Sequence, residues 1–184
     1  MSVQRRYTSR DLDLLPHVEG TRYEIINGEL HVSSQPSWRH QRAASRICTA
    51  LTNWSDETGL GEPTAAPGVI FAEDDDVAPD IVWISTASLE VGLDSAGHLT
   101  LAPDLIVEVL SPGSTNVRRD RVLKLDLYSR QGVKEYWIVD CRLRTVDVYR
   151  RGSSALELVA TLADDDALTS PLLPGFSCPL RQVW

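Results

Sequence analysis

Two apolar, β-branched segments of this chain each carry one carboxylate, and this feature restricts the fold more than any other. Asp80 lies within Pro79-Asp80-Ile81-Val82-Trp83, and Glu108 lies 28 residues later within Leu105-Ile106-Val107-Glu108-Val109-Leu110. Such runs are typical of buried strands, where a charge is costly unless it is paired or bound to a metal. The pattern therefore predicts a cation site shared by two strands, and metal-assisted chemistry, most naturally on a phosphodiester.

The length of 184 residues, 42% of them hydrophobic, predicts one domain spanning 1–184. No apolar run approaches the roughly 20 residues that a membrane span needs, and the first residues do not resemble a signal peptide. We therefore expect a cytoplasmic protein without a membrane partner. The three cysteines are far apart and predict neither a disulfide framework nor a zinc site.

The formal net charge of -8 argues against a protein whose main task is to coat nucleic acid, because nonspecific affinity for nucleic acid comes from Lys and Arg. The charge is compatible with a nuclease, since carboxylates clustered around a divalent ion add to the formal negative charge. Arg118, Arg119 and Arg121 form a compact basic cluster. They could bind substrate phosphates or simply form the solvated start of a helix.

The periodicity of the sequence predicts an α/β protein. Helices are expected over about 8–15, 37–57, with Trp38, Ile47, Leu51 and Trp54 on one buried face, and 115–130. Strands are expected over 23–26, 29–32, 69–71, 81–84, 105–110, 134–140, 145–150 and 156–162. The segment 85–100 is expected to be irregular, 73–76 to be a solvated acidic loop, and 171–179 to be a covering tail.

Several of these residues resemble one known family. The motifs are Tyr23-Glu24-Ile25-Ile26-Asn27-Gly28-Glu29, the helix with His40, Pro79-Asp80, Ile106-Val107-Glu108-Val109-Leu110-Ser111-Pro112, then Asp120, Lys124 and Tyr128, and Gly132-Val133-Lys134-Glu135-Tyr136-Trp137-Ile138-Val139-Asp140. Together they resemble the Uma2 family (DUF820) of PD-(D/E)XK restriction-endonuclease-like proteins. The resemblance implies a mixed central sheet flanked by helices, with both acids on adjacent central strands and Mg²⁺ or Mn²⁺ between them.

The lysine of the motif is displaced. In its standard form it follows the glutamate by two residues, but that position is Leu110 here. The resemblance implies that Lys124, 16 residues after Glu108 and on a helix, reaches back into the site. The alternative is a surface pair between Lys124 and Asp120, which are spaced i and i+4.

Other candidates have two interpretations each. Glu24 matches a family position that supplies a further metal ligand or orients water, or it forms a strand-edge salt bridge. His40 contacts phosphate or shuttles a proton, or it is a partly exposed helix residue. Tyr128 and Trp137 are expected in the core more than as stacking groups. Asp104 lies four residues before Glu108, roughly 13 Å along a strand, too far to share its ion.

The resulting hypothesis is hydrolysis of DNA phosphodiesters, with Asp80, Glu108 and the backbone carbonyl of Val109 holding the metal and Lys124 assisting. The alternatives are a catalytically inactive nuclease fold kept for binding or assembly, and a metal-dependent hydrolase of RNA or nucleotides. Because the family often forms dimers and the late antiparallel strands offer free edges, a homodimer is also expected.

Overall fold

The computed structural model describes residues 5–184 of the chain. Its helical elements in chain order are α1 (Ser9–Leu12), α2 (Trp38–Thr58), α3 (Thr86–Gly92), α4 (Ser114–Arg118), a π-helical turn (Arg119–Lys124), α5 (Leu125–Gln131) and a 3₁₀ turn (Leu180–Gln182). Among these residues no helix is both long and apolar enough to cross a membrane.

Strands account for much of the remaining chain. They are β1 (Arg22–Ile26), β2 (Glu29–Ser33), β3 (Gly61–Ala65), β4 (Val69–Ala72), β5 (Asp75–Val77), β6 (Ile81–Ser85), β7 (Leu105–Val109), β8 (Glu135–Asp140), β9 (Thr145–Arg151), β10 (Leu156–Leu162), β11 (Ala167–Ser170) and β12 (Leu173–Pro179).

A six-stranded mixed sheet in the order β10-β9-β8-β7-β6-β3 forms the centre of the fold. Only β7 and β8 run parallel within it, because α4, the π-helical turn and α5 connect them as a crossover. Side chains alternate between two apolar cores, as the period of two requires. Helix α2 and the β11-β12 hairpin cover one face, with Ile81 and Val107. Helix α5 and part of the sheet β2-β1-β5-β4 cover the other, with Val82 and Ile106.

The predicted hairpin and long helix are confirmed. Strands β1 and β2 pair antiparallel around Asn27 and Gly28, both with positive φ as a two-residue turn requires. Ser37 caps α2 by accepting a hydrogen bond from the N–H of His40, and Gly59 ends the helix at φ 67°. The prediction that Trp38 lies on the buried face of α2 is wrong, since 72% of this residue is exposed.

Two other predictions about elements are also wrong, and a third is confirmed with an added detail. The segment 85–100 contains helix α3. The acidic loop is not simply solvated, because Asp75 is buried in β5 and its Oδ1 accepts the N–H of Asn27. The covering tail lies over the core as expected, but it is the ordered hairpin β11-β12. Edge strand β3 escaped prediction because it contains Pro63 and few apolar residues, which an edge tolerates.

Gly61 opens β3 and lies opposite Ser85 of β6. A Cβ on Gly61 would lie 2.3 Å from the carbonyl oxygen of Ile84 and 2.5 Å from the ring of Trp83. Gly61→Ala is therefore expected to lower the free energy of unfolding by about 1–3 kcal/mol, measured by urea denaturation. Gly92→Ala is the matched control, because its Cβ would meet Leu101 at an ordinary 3.5 Å. Equal stability of the two variants would contradict this packing.

Candidate active site

The two acid-bearing strands are neighbours at the centre of the sheet. Strands β6 and β7 are antiparallel with Ile81 opposite Val107, and the same register places Asp80 opposite Glu108. Residues opposite each other in an antiparallel pair point to the same face. The N–H of Val109 donates to Oδ2 of Asp80 at 2.8 Å, which holds this carboxylate against β7. The structure therefore brings both predicted acids together on the face that α5 covers.

Lys124 lies between two carboxylates. Its Nζ is 2.8 Å from Oε1 of Glu108 and 2.8 Å from Oε1 of Glu24, and only 1% of the residue is exposed. The hydroxyl of Tyr128 donates to the same Glu108 oxygen at 2.9 Å. Because Lys124 is buried, its interpretation as a surface partner of Asp120 is wrong. The strand-edge alternative for Glu24 is also wrong, since this carboxylate is buried and reaches the amine next to Glu108.

A π-helical turn accounts for the direction of Lys124. The predicted single helix over 115–130 is divided by this turn, in which hydrogen bonds run from i to i+5. Arg119 and Lys124, five residues apart, would project about 140° apart on an α-helix. Here both reach Glu24, with Nη1 of Arg119 at 3.9 Å from Oε2. The hydroxyl of Tyr136 donates to the backbone carbonyl of Asp120 within the turn.

Asp80 has two cationic or ionisable partners. Nε2 of His40 lies 3.1 Å from Oδ2, and Nη1 of Arg22 lies 3.3 Å from Oδ1. His40 is 6% exposed, so its interpretation as a partly exposed helix residue is wrong. Its Nδ1 is buried and has no hydrogen-bond partner within residues 5–184. Sequence reasoning missed Arg22, because an arginine at the start of a strand carries no motif.

The three arginines of the predicted basic cluster lie in different places. Arg119 lies at the site and binds Asp120 through Nε at 2.9 Å. Arg121 forms an ion pair with Asp147 of β9, and Arg118 is exposed. The cluster therefore does not form one patch, and Arg119 is the member that shares a cavity with Asp80 and Glu108.

The remaining candidates lie in the core or at strand ends. Asp104 precedes β7, where it accepts the N–H of Ser85 and binds the amine of Lys134. Trp137 is fully buried and stacks on Phe176. Tyr128 is also fully buried, yet its hydroxyl reaches Glu108, so a core residue contributes to the site as well.

Burial acts to raise the pKa of each acid at the site, and neighbouring cations act to lower it, so the outcome differs from one acid to the next. Burial, with the charges of Asp80, Asp120 and Glu24, raises the pKa of Glu108 to about 8 despite the nearby Lys124. Burial also acts to raise the pKa of Asp80, but the hydrogen bond and charge of His40 lower it below its ordinary value. The charges of Lys124 and Arg119 likewise outweigh burial and lower the pKa of Glu24. Glu108 therefore binds a proton more readily than Asp80 and Glu24 do.

The raised pKa of Glu108 predicts a pH-dependent stability. In the unfolded chain this carboxyl loses its proton near its ordinary value of 4.5, while in the fold it keeps the proton until about pH 8. Folded protein then binds more protons, so this contribution decreases as pH rises from 4.5 to 8. The free energy of unfolding, relative to Glu108→Gln in a chelating buffer, should fall over this window. Exposed Glu57→Gln is the control, and a flat difference for Glu108→Gln would contradict the assignment.

The side chains at the site fit a hard divalent ion. Asp80, Glu108 and Val109 line one cavity of about 210 Å³. Lys124 and Tyr128 both donate their hydrogen bonds to Oε1 of Glu108, so Oε2 is the oxygen that remains to coordinate an ion. Within residues 5–184 no group of three His, Cys, Asp or Glu side chains is arranged to hold a metal. Mg²⁺ commonly binds through one or two carboxylates and keeps several waters, so two carboxylates suffice for its donor set.

The fold is a mixed central sheet flanked by helices, as predicted. A solved structure with this fold is a "putative nuclease belonging to DUF820" from Anabaena variabilis ATCC 29413. The two share 19% sequence identity at a TM-score of 0.75, over 96% of each chain. No curated protein matches the chain.

The model of the Uma2 family, described as "Putative restriction endonuclease", matches residues 10–181. The chain belongs to the Uma2 family. Family and fold together indicate a restriction-endonuclease-like nuclease.

Proposed function

We propose that the protein is a metal-dependent endonuclease that hydrolyses phosphodiester bonds of DNA at this site. The observation that carries the proposal is the position of the Lys124 amine, 2.8 Å from Glu108. Glu108 lies on β7, and Asp80 directly precedes the neighbouring strand β6. The motif lysine would usually come from the glutamate's own strand. Here the π-helical turn supplies an amine to the same carboxylate, which supports a complete catalytic set despite Leu110.

Asp80, Glu108 and the backbone carbonyl of Val109 would hold Mg²⁺ or Mn²⁺. When bound, such an ion supplies Lewis-acid activation of a phosphoryl oxygen and of water. The second carboxylate partner of Lys124, Glu24, keeps the amine charged at neutral pH: although burial acts to lower the pKa of Lys124, the charges of Glu108 and Glu24 raise it overall. Lys124 is thus suited to stabilise negative charge developing on phosphoryl oxygens.

His40 and Arg119 have supporting roles in this proposal. The contact of His40 Nε2 with Asp80 fixes the orientation of that carboxylate and leaves Nδ1 free to accept or deliver a proton in the cavity. Arg119, which lines the cavity, offers a further cation to a substrate phosphate. DNA is the substrate we favour, because Uma2 is described as a restriction-endonuclease family.

A panel of labelled DNA duplexes, single-stranded DNA, RNA and nucleotides tests the proposal directly. We expect DNA to be cut with Mg²⁺ or Mn²⁺, and not with chelator. Isothermal titration should show divalent-ion binding that Glu108→Gln weakens and Glu57→Gln leaves unchanged. Cleavage of RNA alone would indicate the hydrolase alternative. No ion binding and no cleavage would indicate a fold kept for assembly.

We also propose that two copies pair through the outer strand β10. It forms one edge of the six-stranded sheet and exposes Leu158 and Val159, which are 54% and 49% accessible. Edge strands with apolar residues tend to pair with another chain. Light scattering would report a dimer, and a monomeric mass at micromolar concentration would contradict the pairing.

A further inference from the structure

A groove extends from the candidate active site along the first turns of α2. The cavity that holds Asp80 shares His40 and Ser111 with a second cavity of about 440 Å³. That second cavity shares Arg39 and Cys141 with a third of about 410 Å³. Because neighbouring cavities share lining residues, the three lie side by side in a row that leads outward from the acids.

The outer part of this row, here named the basic aromatic groove, combines two kinds of side chain. Its defining residues are Trp38, Arg39, Arg42, Arg142, Arg144 and Trp184. They come from the start of α2, the β8-β9 turn and the end of the chain. Segments distant in sequence therefore converge on one surface.

The charge of the groove is opposite to that of the whole protein. The chain has 26 acidic and 18 basic residues, yet four arginines line the groove. Among residues 5–184, Asp140 is the one acidic residue that lines it. Oδ1 of Asp140 accepts the N–H groups of Arg142 and Leu143. Arg144 is 3.1 Å from Asp164. Arg39 and Arg142 are exposed, and within residues 5–184 neither guanidinium forms an ion pair. A polyanion would supply that missing partner.

The tryptophans of the groove are its second feature. Trp38 is 72% exposed, whereas Trp54, Trp83 and Trp137 are buried in the core. The guanidinium of Arg42 lies over the Trp38 ring, 5.5 Å from its centroid, and its Nε donates to the carbonyl of Trp184. An exposed indole held in this way offers a flat surface on which an unpaired base can stack.

A second tryptophan lacks a hydrogen-bond partner. Nε1 of Trp184 is buried and unpaired within residues 5–184, although the residue lines the groove. An indole N–H usually finds a partner when it is buried. Trp184 therefore adds a second aromatic side chain to the groove, besides Trp38. The bases of an intact duplex are stacked on one another and cannot reach either ring.

We infer that the basic aromatic groove binds a single-stranded segment of DNA, with phosphates on its arginines and an unpaired base on Trp38. The inference rests on the proposed function for the identity of the reacting polymer. The strand would run from the groove past His40 to the acids. The substrate class is then DNA with an unpaired region, such as an overhang or flap.

Fluorescence anisotropy with a fluorescein-labelled oligothymidylate tests this binding in a chelating buffer, where no cleavage occurs. Trp38→Ala should weaken binding about tenfold, because stacking on one aromatic side chain contributes that much. Trp38→Phe should keep most of the affinity. Quenching of tryptophan fluorescence by the oligonucleotide should decrease in both variants, and the quenching that remains should come from Trp184, because the three core tryptophans are not in contact with DNA.

Arginine variants test the electrostatic part. Each of Arg39→Gln and Arg142→Gln should lower the slope of log affinity against log salt by about 0.7, the value for one contact with single-stranded DNA. Arg10→Gln, on α1 and outside the groove, is the matched control and should leave the slope unchanged. Circular dichroism confirms that each variant is folded.

The outcomes separate this inference from the proposed function. Equal affinity for duplex and single strand, or unchanged binding by Trp38→Ala, would overturn the inference even if DNA is cut. Binding that depends on Trp38, without cleavage by any divalent ion, would uphold the inference and contradict the endonuclease. Binding through the groove together with cleavage beside an unpaired region is the expected result.

Discussion

Replacing Asp80 with asparagine is expected to lower metal-dependent DNA cleavage about a thousandfold. The change keeps the shape of the side chain and the oxygen that accepts the Val109 N–H, but removes the charge that would hold the ion. Loss of one ligand charge from a metal that stabilises the transition state corresponds to several kcal/mol, and about 4 kcal/mol is a factor of a thousand. The measurement is a single-turnover cleavage rate at saturating Mg²⁺ or Mn²⁺.

Exposed Asp56→Asn, on α2, is the control for the loss of one acidic charge and should retain the full rate. Thermal unfolding of Asp80→Asn should show a folded protein, even though the contacts with His40 and Arg22 lose their charged partner. Full cleavage by a folded Asp80→Asn would place the chemistry at another site.

Replacing Lys124 with methionine is expected to abolish cleavage and to lower the free energy of unfolding by about 3–5 kcal/mol. Methionine fills a similar volume, but the buried carboxylates of Glu24 and Glu108 lose the amine that both contact at 2.8 Å. Removing one partner of a buried ion pair is costly because it leaves uncompensated charge. Urea denaturation at about pH 9, above the pKa of about 8 of Glu108, measures the stability where both carboxyls are ionised in the native protein, and the single-turnover assay measures the rate.

The double variant Lys124→Met, Glu108→Gln separates structure from catalysis. It removes one of the unpaired carboxylates, so part of the lost stability should return, since neighbouring residues in one network are not additive. Cleavage should remain absent because both a metal ligand and the cation are missing. If Lys124→Met alone were as stable as the native protein, Lys124 would not be the counter-charge of these acids.

The stability and rate effects together would distinguish this lysine from an ordinary surface residue. Arg181 provides the comparison, because it pairs with Asp165 and both side chains are exposed, by 74% and 79%. Such a surface pair contributes about 0.2–1 kcal/mol. Arg181→Gln should therefore change stability little and leave the cleavage rate intact.

Local sequence signals predicted much of the fold because they follow from local physics. Asn27-Gly28 specifies a two-residue turn, Ser37 and Gly59 cap α2, and the period of two identifies the faces of β6 and β7. Edge strand β3, by contrast, exists because β6 offers it a partner. Its own residues, with a proline and little apolar side chain, give no strand signal.

At the candidate site, too, local sequence patterns predicted some features and tertiary packing decided the others. The sequence by itself predicted that Asp80, directly before β6, and Glu108, within β7, are buried acids, because a charge in a β-branched run must find a partner. Only the tertiary structure decided that the two strands are neighbours in a register that places these acids opposite each other. It also decided that a π-helical turn brings Lys124 and Arg119 to Glu24, and that His40 reaches Asp80 from α2. These contacts join residues 28 to 100 positions apart, and long-range pairing depends on how whole elements pack, which no local pattern specifies.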